Sequence, residues 1–175
     1  MTQREERVLD LIQFDRGDRA ERPDHSDLHM LRLALDLQLD AMMITLGAAA
    51  AAENRGELGG GVPWQRWLVE DLDLARSLAG ALLESDAAPV PGLGVGFEDS
   101  SIQGSLDKLA ARYESMENLL AGLLEAPSRN QCWRPGATEA LHRCRVRLDD
   151  LHRNRREAIA TAASRTTFLP GELLG

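Results

Sequence analysis

Apolar residues recur along most of this chain with the spacing of an α-helix. In the clearest row, between residues 102 and 123, successive apolar positions are separated by steps of four and three residues. Such steps place every member of the row on one face of a helix, whereas a half-buried strand would need strict alternation. The pattern therefore predicts a helix that buries one side. Its members are Ile102, Leu106, Leu109, Tyr113, Met116, Leu120 and Leu123.

Similar rows, separated by stretches rich in glycine and proline, predict four helices in all. We expect them at about 24–53, 64–85, 102–126 and 137–164, because the segments between them contain strong helix breakers. A chain of 175 residues is long enough to bury one core without disulfide or metal crosslinks. The sequence therefore predicts an all-α, four-helix bundle with an additional N-terminal arm or short helix.

The chain divides into an arm at 1–23, a helical bundle domain at 24–165 and an apolar tail at 166–175. Short loops before the second and fourth helices favour antiparallel hairpins. The linker at 87–101 spans at most about 50 Å when fully extended, whereas a helix of about 24 residues is about 36 Å long. An up-down bundle and a bundle with a long crossover between helices 2 and 3 both remain open.

The first helix has two apolar faces. Its main row is interrupted only by Gln38 and Thr45, and a second row lies on roughly the opposite side. Because a helix that is apolar on two sides needs cover on both, we expect the second row to be covered by a protein partner, most simply a second copy of the chain, or by the C-terminal tail. The expected partner-binding residues are Met30, Leu33, Leu37 and Ile44 in the helix and Phe168, Leu169, Leu173 and Leu174 in the tail.

Composition and charge exclude several classes of protein. The formal net charge of −8 argues against a general binder of nucleic acid or anionic membranes, which needs a surplus of Lys and Arg. Only Cys132 and Cys144 are present, too few for a disulfide framework. With no apolar run of membrane-spanning length evident, we expect a cytoplasmic protein without membrane or nucleic-acid partners.

No residue pattern supports a metal or another cofactor. Glu139 and His142 have the spacing of di-iron carboxylate bundles, but the apolar row of the fourth helix directs both away from the core, and no second copy of the motif exists. His25 and His29 share a helix face without a third ligand. The sequence therefore predicts that the protein binds no metal and no cofactor.

The second helix carries a broad apolar face and an acidic run. The apolar positions include Leu68, Leu72 and Leu74. We interpret the acidic run at 70–73, which includes Asp71, as a solvated patch.

In the fourth helix, Arg145 and Arg147 precede His152 by seven and five residues. This spacing is similar to the Arg-x4-6-His motif of HEPN helical ribonucleases. The resemblance covers eight residues and implies a dimer in which His152 acts as acid and base while Arg145 or Arg147 stabilises phosphate charge. The polar residue often found after the motif arginine is replaced here by Val146 or Leu148.

The C-terminal sequence FLPGELLG is similar to the short tails that load cargo into encapsulin shells. Docking of this tail on its own bundle is the simpler interpretation. We thus expect a non-enzymatic interaction or accessory protein, acting as a homodimer. The alternatives are a HEPN-like ribonuclease and a bundle that binds a small apolar ligand between its helices; a cluster of polar side chains in the core would favour the latter.

Overall fold

The computed structural model describes residues 25–56, 61–85, 87, 101–127 and 132–167. These residues form four helices, numbered here along the chain, and the predicted all-α four-helix bundle is confirmed. The helices are α1 (His25–Asn54), α2 (Trp64–Leu83), α3 (Ile102–Glu125) and α4 (Arg134–Thr167). The predicted arm at 1–23 and the apolar residues 168–175 of the predicted tail lie outside the described residues.

The observed helix ends differ from the predicted ones mainly in α4. This helix begins at Arg134, three residues earlier than predicted, and includes Pro135 in its first turn. Proline is tolerated there because the first turn has no intrahelical acceptor for its missing N–H group. The helix continues to Thr167, so the first two residues of the predicted tail belong to it.

Each helix packs along two neighbours: α1 along α2 and α3, and α4 along the same two helices. Going around the bundle, the order is therefore α1, α2, α4, α3, with α1 diagonally opposite α4. The pair α2 and α4 is antiparallel. Arg66 near the start of α2 lies 3.1 Å from Asp150 in the second half of α4, whereas Ala81 near the end of α2 lies beside Gly136 at the start of α4.

The pair α3 and α4 is also antiparallel. Asp107 near the start of α3 pairs with Arg155 in the second half of α4 at 2.8 Å, and Arg134 at the start of α4 donates to the carbonyl oxygen of Leu124 near the end of α3. Since α2 and α3 both run against α4, they run in the same direction. The end of α2 and the start of α3 therefore lie at opposite ends of the bundle, which decides the topology in favour of the long crossover.

The predicted rows form the core. Six of the seven predicted positions in α3 are buried, and Ile102 at its N-terminal end is partly buried. The apolar row predicted for the fourth helix is buried as well, and the largest side chains excluded from solvent include Trp67 and Trp133. The members of the α4 row are Ala137, Leu141, Cys144, Leu148 and Leu151. Helix α3 begins at an N-cap, where the Ser101 side chain accepts a hydrogen bond from the backbone N–H of Gly104 at 3.1 Å.

Helix α1 is more apolar than expected from the sequence, where we found no apolar run of membrane-spanning length. Over Ser26–Asn54 it is long and apolar enough to meet the length and composition criteria of a membrane-spanning helix, which core helices of soluble bundles also meet. In this structure it packs along α2 and α3 and buries the polar side chains of Gln38 and Thr45. That the protein has no membrane partner stays a prediction.

The close approach of α2 and α4 gives a first prediction, at Gly136. A β-carbon at this position would lie 3.0 Å from the Ala81 β-carbon and 3.2 Å from the carbonyl oxygen of Ser77. We expect Gly136→Ala to lower the free energy of unfolding by about 1 kcal/mol, because overpacking costs about 1–3 kcal/mol and the gain in helix propensity is at most about 1 kcal/mol. Urea denaturation measures the change.

Gly122 in α3 is the matched control. A β-carbon there would meet no heavy atom within 4 Å. Gly122→Ala should therefore raise the free energy of unfolding by about 0.5–1 kcal/mol, the gain in helix propensity alone. Equal stabilisation by the two substitutions would contradict the close packing of α2 on α4.

Candidate functional site

Polar side chains from all four helices meet at the centre of the bundle. Helix α1 contributes two and each other helix contributes one, and every member is at least nine-tenths buried. We call this group the core polar cluster; it consists of Gln38, Thr45, Asp71, Tyr113 and Arg147. A bundle core is otherwise filled by apolar side chains, so such a cluster requires its own internal pairing.

Asp71 is the hub of the core polar cluster. Its Oδ1 accepts hydrogen bonds from the Tyr113 hydroxyl at 2.5 Å and from Nη2 of Arg147 at 2.7 Å. The Thr45 hydroxyl lies 3.1 Å from Asp71 Oδ2 and 2.9 Å from the carbonyl oxygen of Ala41, so its single proton can be donated to either. The backbone carbonyl of Asp71 accepts from Nε2 of Gln38 at 3.0 Å. One carboxylate thus joins all four helices.

Arg147 supplies the positive charge. Its side chain is only 5% exposed, and Nη2 also donates to the backbone carbonyl of Trp67 at 2.8 Å. The guanidinium carbon lies 4.8 Å from the centre of the Trp67 ring and 5.9 Å from that of Tyr113, within the range of cation–π attraction. A second carboxylate, that of half-exposed Glu70, approaches Nη2 at 3.2 Å. Arg147 is therefore held by two acids and two aromatic rings.

The position of Asp71 corrects the interpretation of the acidic run as solvated. Asp71 is 1% exposed, whereas Leu72, assigned to the apolar face, is 50% exposed. At 100° per residue Asp71 falls in line with Trp67, Leu74 and Leu78, all of which are buried. This spacing, together with the polar interruptions of the α1 row, is the signal in the sequence that could have located the cluster.

Burial and pairing act on the core polar cluster in opposite directions. Burial raises the pKa of Asp71 above its ordinary value, while the charge of Arg147 and the hydrogen bonds from Tyr113 and Thr45 oppose the rise. Burial, reinforced by the adjacent Asp71 charge, raises the pKa of Tyr113 well above its ordinary value. The phenol therefore stays protonated and remains a donor to the carboxylate.

Some polar atoms around the cluster have no hydrogen-bond partner among the described residues. They include Nη1 of Arg147, Oε1 of Gln38 and the indole nitrogen of Trp67. An unsatisfied buried donor on a charged group is costly, so each such atom in a native structure calls for an explanation. Nη1 of Arg147 is the most demanding of the three because it carries charge.

A cleft of about 260 Å³ lies between α2 and α4, and Arg147 and Asp71 are among its lining residues. Leu74 and Val146 contribute apolar surface. The remaining lining side chains are polar or charged: Glu70, Glu139, His142 and Arg143. The cleft thus connects the core polar cluster with the surface.

The residues of the ribonuclease resemblance lie in different surroundings. Arg147 is inside the bundle, paired with Asp71. Arg145 and His152 lie on the outer surface of α4, and Nε of Arg145 is 2.8 Å from Oε1 of Glu117 on α3. The structure therefore does not bring Arg147 and His152 together, whereas Arg145 and His152 share the flank of α4 that faces α3. The ribonuclease activity that the resemblance implies stays a prediction.

The second apolar row of α1 is more covered than the sequence suggests. Met30, Leu37 and Ile44 are partly buried and packed against the core, while Leu33 is 38% exposed. The four positions lie on the flank of α1 from which Asp40 pairs with Arg112 of α3, and their contact with a partner or with the tail stays a prediction. The predicted tail contacts Phe168, Leu169, Leu173 and Leu174 lie outside the described residues.

A different apolar surface is exposed, on the outer side of α1 and α2. Helical geometry places Leu46 on the flank of α1 that faces α2, and it places Leu72 and Leu83 on the flank of α2 that faces α1, with Val69 at its outer edge. We call this surface the α1–α2 face. The exposed fractions are 45% for Leu46, 64% for Val69, 50% for Leu72 and 61% for Leu83.

The side chains considered for metal binding, Glu139 and His142, and the buried Cys144 thiol do not form a reactive site together. Glu139 and His142 are exposed, and Glu139 pairs with Arg143 at 2.7 Å. Within the described parts of the chain, no three His, Cys, Asp or Glu side chains are grouped to hold a metal ion. Burial raises the pKa of Cys144 to about 12, with a smaller contribution from Glu117, so this thiol stays protonated and packs as an apolar residue.

Comparisons of the chain with models of protein families, with curated proteins and with solved structures found no match. Any assignment of function therefore depends on the geometry of the core polar cluster, the cleft and the α1–α2 face.

Proposed function

We propose that this protein is a non-enzymatic interaction or accessory protein that acts as a homodimer through the α1–α2 face. The observation that supports the proposal is the exposure of four large apolar side chains, Leu46, Val69, Leu72 and Leu83, on one side of the bundle. Single exposed apolar residues are ordinary, but a group of them on one surface is typical of a protein contact.

The shape of the α1–α2 face suits self-association. On α2 the exposed row extends from Val69 to Leu83, which corresponds to about 21 Å along the helix. A two-fold dimer uses the same surface on both subunits, so an elongated apolar row can pack against its own copy in antiparallel orientation. Arg76 lies within this row with a highly exposed side chain and pairs with Asp73 at 3.2 Å. Arginine is among the residues enriched in interfaces.

The pairing within the core polar cluster supports a structural role for these residues over a catalytic one. The Asp71 carboxylate accepts from Tyr113 and Arg147 and lies within hydrogen-bonding distance of Thr45, and it sits between helices instead of at the surface. A group held in this way is suited to fixing how the helices pack. The chain contains only two cysteines, Cys132 and Cys144, too few for a disulfide framework, which fits the proposed location in a reducing cytoplasm.

Sedimentation velocity over a range of protein concentrations tests the proposal. We expect the parent protein to form a dimer and Leu72→Glu to be largely monomeric, because a carboxylate at the centre of an apolar contact would be desolvated without a partner. Leu72 is half exposed in the single subunit, so the variant should retain its helical circular dichroism.

Two further variants make the experiment specific. Asn118→Glu places the same charge at an exposed position on α3, away from the α1–α2 face, and should keep the parent's mass. Leu33→Glu examines the exposed residue of the row that the sequence predicted. A monomeric parent protein would overturn the dimer, whereas dissociation by Leu33→Glu but not by Leu72→Glu would move the interface to the other side of α1.

A further inference from the structure

Independently of the dimer, we infer that the cleft between α2 and α4 binds a small zwitterion with an apolar side chain, of the class of the free apolar α-amino acids. The inference starts from Arg147, which lines the cleft and whose side chain is only 5% exposed. Its Nη1 has no hydrogen-bond partner among the described residues. A carboxylate oxygen from a ligand would supply the missing acceptor, with a small local movement to reach it.

The charges around the cleft argue against a simple anion. The lining contains three acids, Glu70, Asp71 and Glu139, and two arginines, Arg143 and Arg147. With His142 neutral the formal sum is 2 − 3 = −1. An anion would enter this field at an electrostatic cost, whereas a ligand that also carries an ammonium group would not. The half-exposed carboxylates of Glu70 on α2 and Glu139 on α4 are on opposite walls and can accept from that ammonium.

The walls determine the rest of the ligand. Leu74 and Val146 provide apolar surface on the two helices, and Val146 is 51% exposed although most apolar residues of α4 are buried. An aliphatic side chain placed against them would be removed from water. The volume of about 260 Å³ lies just below the usual range for drug-sized ligands, which fits a molecule as small as an amino acid.

Isothermal titration calorimetry with L-leucine as the probe tests the inference. We expect saturable binding by leucine and at least tenfold weaker binding by isoamylamine, which lacks the carboxylate, and by 4-methylpentanoate, which lacks the ammonium. All three ligands are compared at matched ionic strength. An absence of saturable leucine binding would overturn the inference and leave water as the partner of Nη1. If isoamylamine or 4-methylpentanoate bound as tightly as leucine, the requirement for a zwitterionic ligand would be wrong.

Two exposed positions in the cleft avoid the risk that an Arg147 variant fails to fold. Glu139→Gln and Val146→Ser should each weaken leucine binding by about threefold to tenfold, because one loses a charged acceptor and the other loses apolar wall. Glu114→Gln, at an exposed position on α3, is the matched control and should bind as the parent does. Parent-like binding by both cleft variants would place the ligand elsewhere. Since the α1–α2 face is not involved, Leu72→Glu should bind leucine normally, so a failed dimer test and a failed ligand test are distinguishable.

Discussion

Replacing Arg147 by methionine should lower the free energy of unfolding by about 3–5 kcal/mol, the range for removing one partner of a buried ion pair. Methionine fills much of the same space, but it leaves the Asp71 carboxylate in the core with the Tyr113 and Thr45 hydroxyls as its side-chain donors. Chemical denaturation followed by circular dichroism measures the loss. Arg153→Met, on the exposed surface of the same helix, is the control and should cost less than about 1 kcal/mol.

A double variant distinguishes the contribution of the ion pair between Asp71 and Arg147 from that of the packing of their side chains. In Asp71→Leu with Arg147→Met both charges are absent, so no buried ion lacks its partner, and the loss should be smaller than the sum of the two single losses. Additive losses would show that the ion pair at 2.7 Å contributes no coupling and that the two side chains act independently.

The Arg147→Met loss should also depend on pH. Burial already raises the pKa of Asp71, and the charge of Arg147 is the largest contribution that opposes the rise, so the variant's Asp71 pKa should be higher still. A carboxyl group with a raised pKa in the folded state stabilises the fold while it is protonated. This contribution is complete below the pKa of the unfolded state, near 3.8, and is lost as the pH rises from there through the folded-state pKa. The difference between parent and variant should therefore be smaller in mildly acidic buffer than in mildly alkaline buffer. A difference that grows on acidification would contradict this assignment.

Leu120→Ala should cost about 2–5 kcal/mol of the free energy of unfolding, the range for truncating a buried leucine. Leu120 is fully buried in the row that α3 presents to the core, so truncation removes apolar contact and leaves a cavity. Denaturation midpoints in urea check the change. Glu117→Ala is the control in the same helix: its partly exposed carboxylate pairs with the exposed Arg145, and we expect a loss below about 1 kcal/mol. Similar losses for the two variants would mean that α3 is packed in another register.

The apolar rows of the sequence were sufficient to predict the fold class and most of the core. The rows of α3 and α4 are buried almost as predicted, because a helix with one apolar side can be satisfied only by turning that side inward. Glycine and proline likewise located the interruptions between helices. The ends of α4 were less predictable, since Pro135 is compatible both with a loop and with the first turn of a helix.

The topology, the site and the exposed surface were decided by the tertiary structure. Loop lengths left the direction of α3 open, and only its contacts with α4, the ion pair of Asp107 with Arg155 and the hydrogen bond from Arg134 to the Leu124 carbonyl oxygen, established the long crossover. Asp71 looked like part of a solvated acidic run because the cost of burying a carboxylate is prohibitive unless a partner is near. That partner, Arg147, is 76 residues away in the sequence and comes within 2.7 Å only when α4 packs against α2. A periodic pattern along one helix determines which side is buried, but whether a charge can be buried there depends on what another helix brings to meet it.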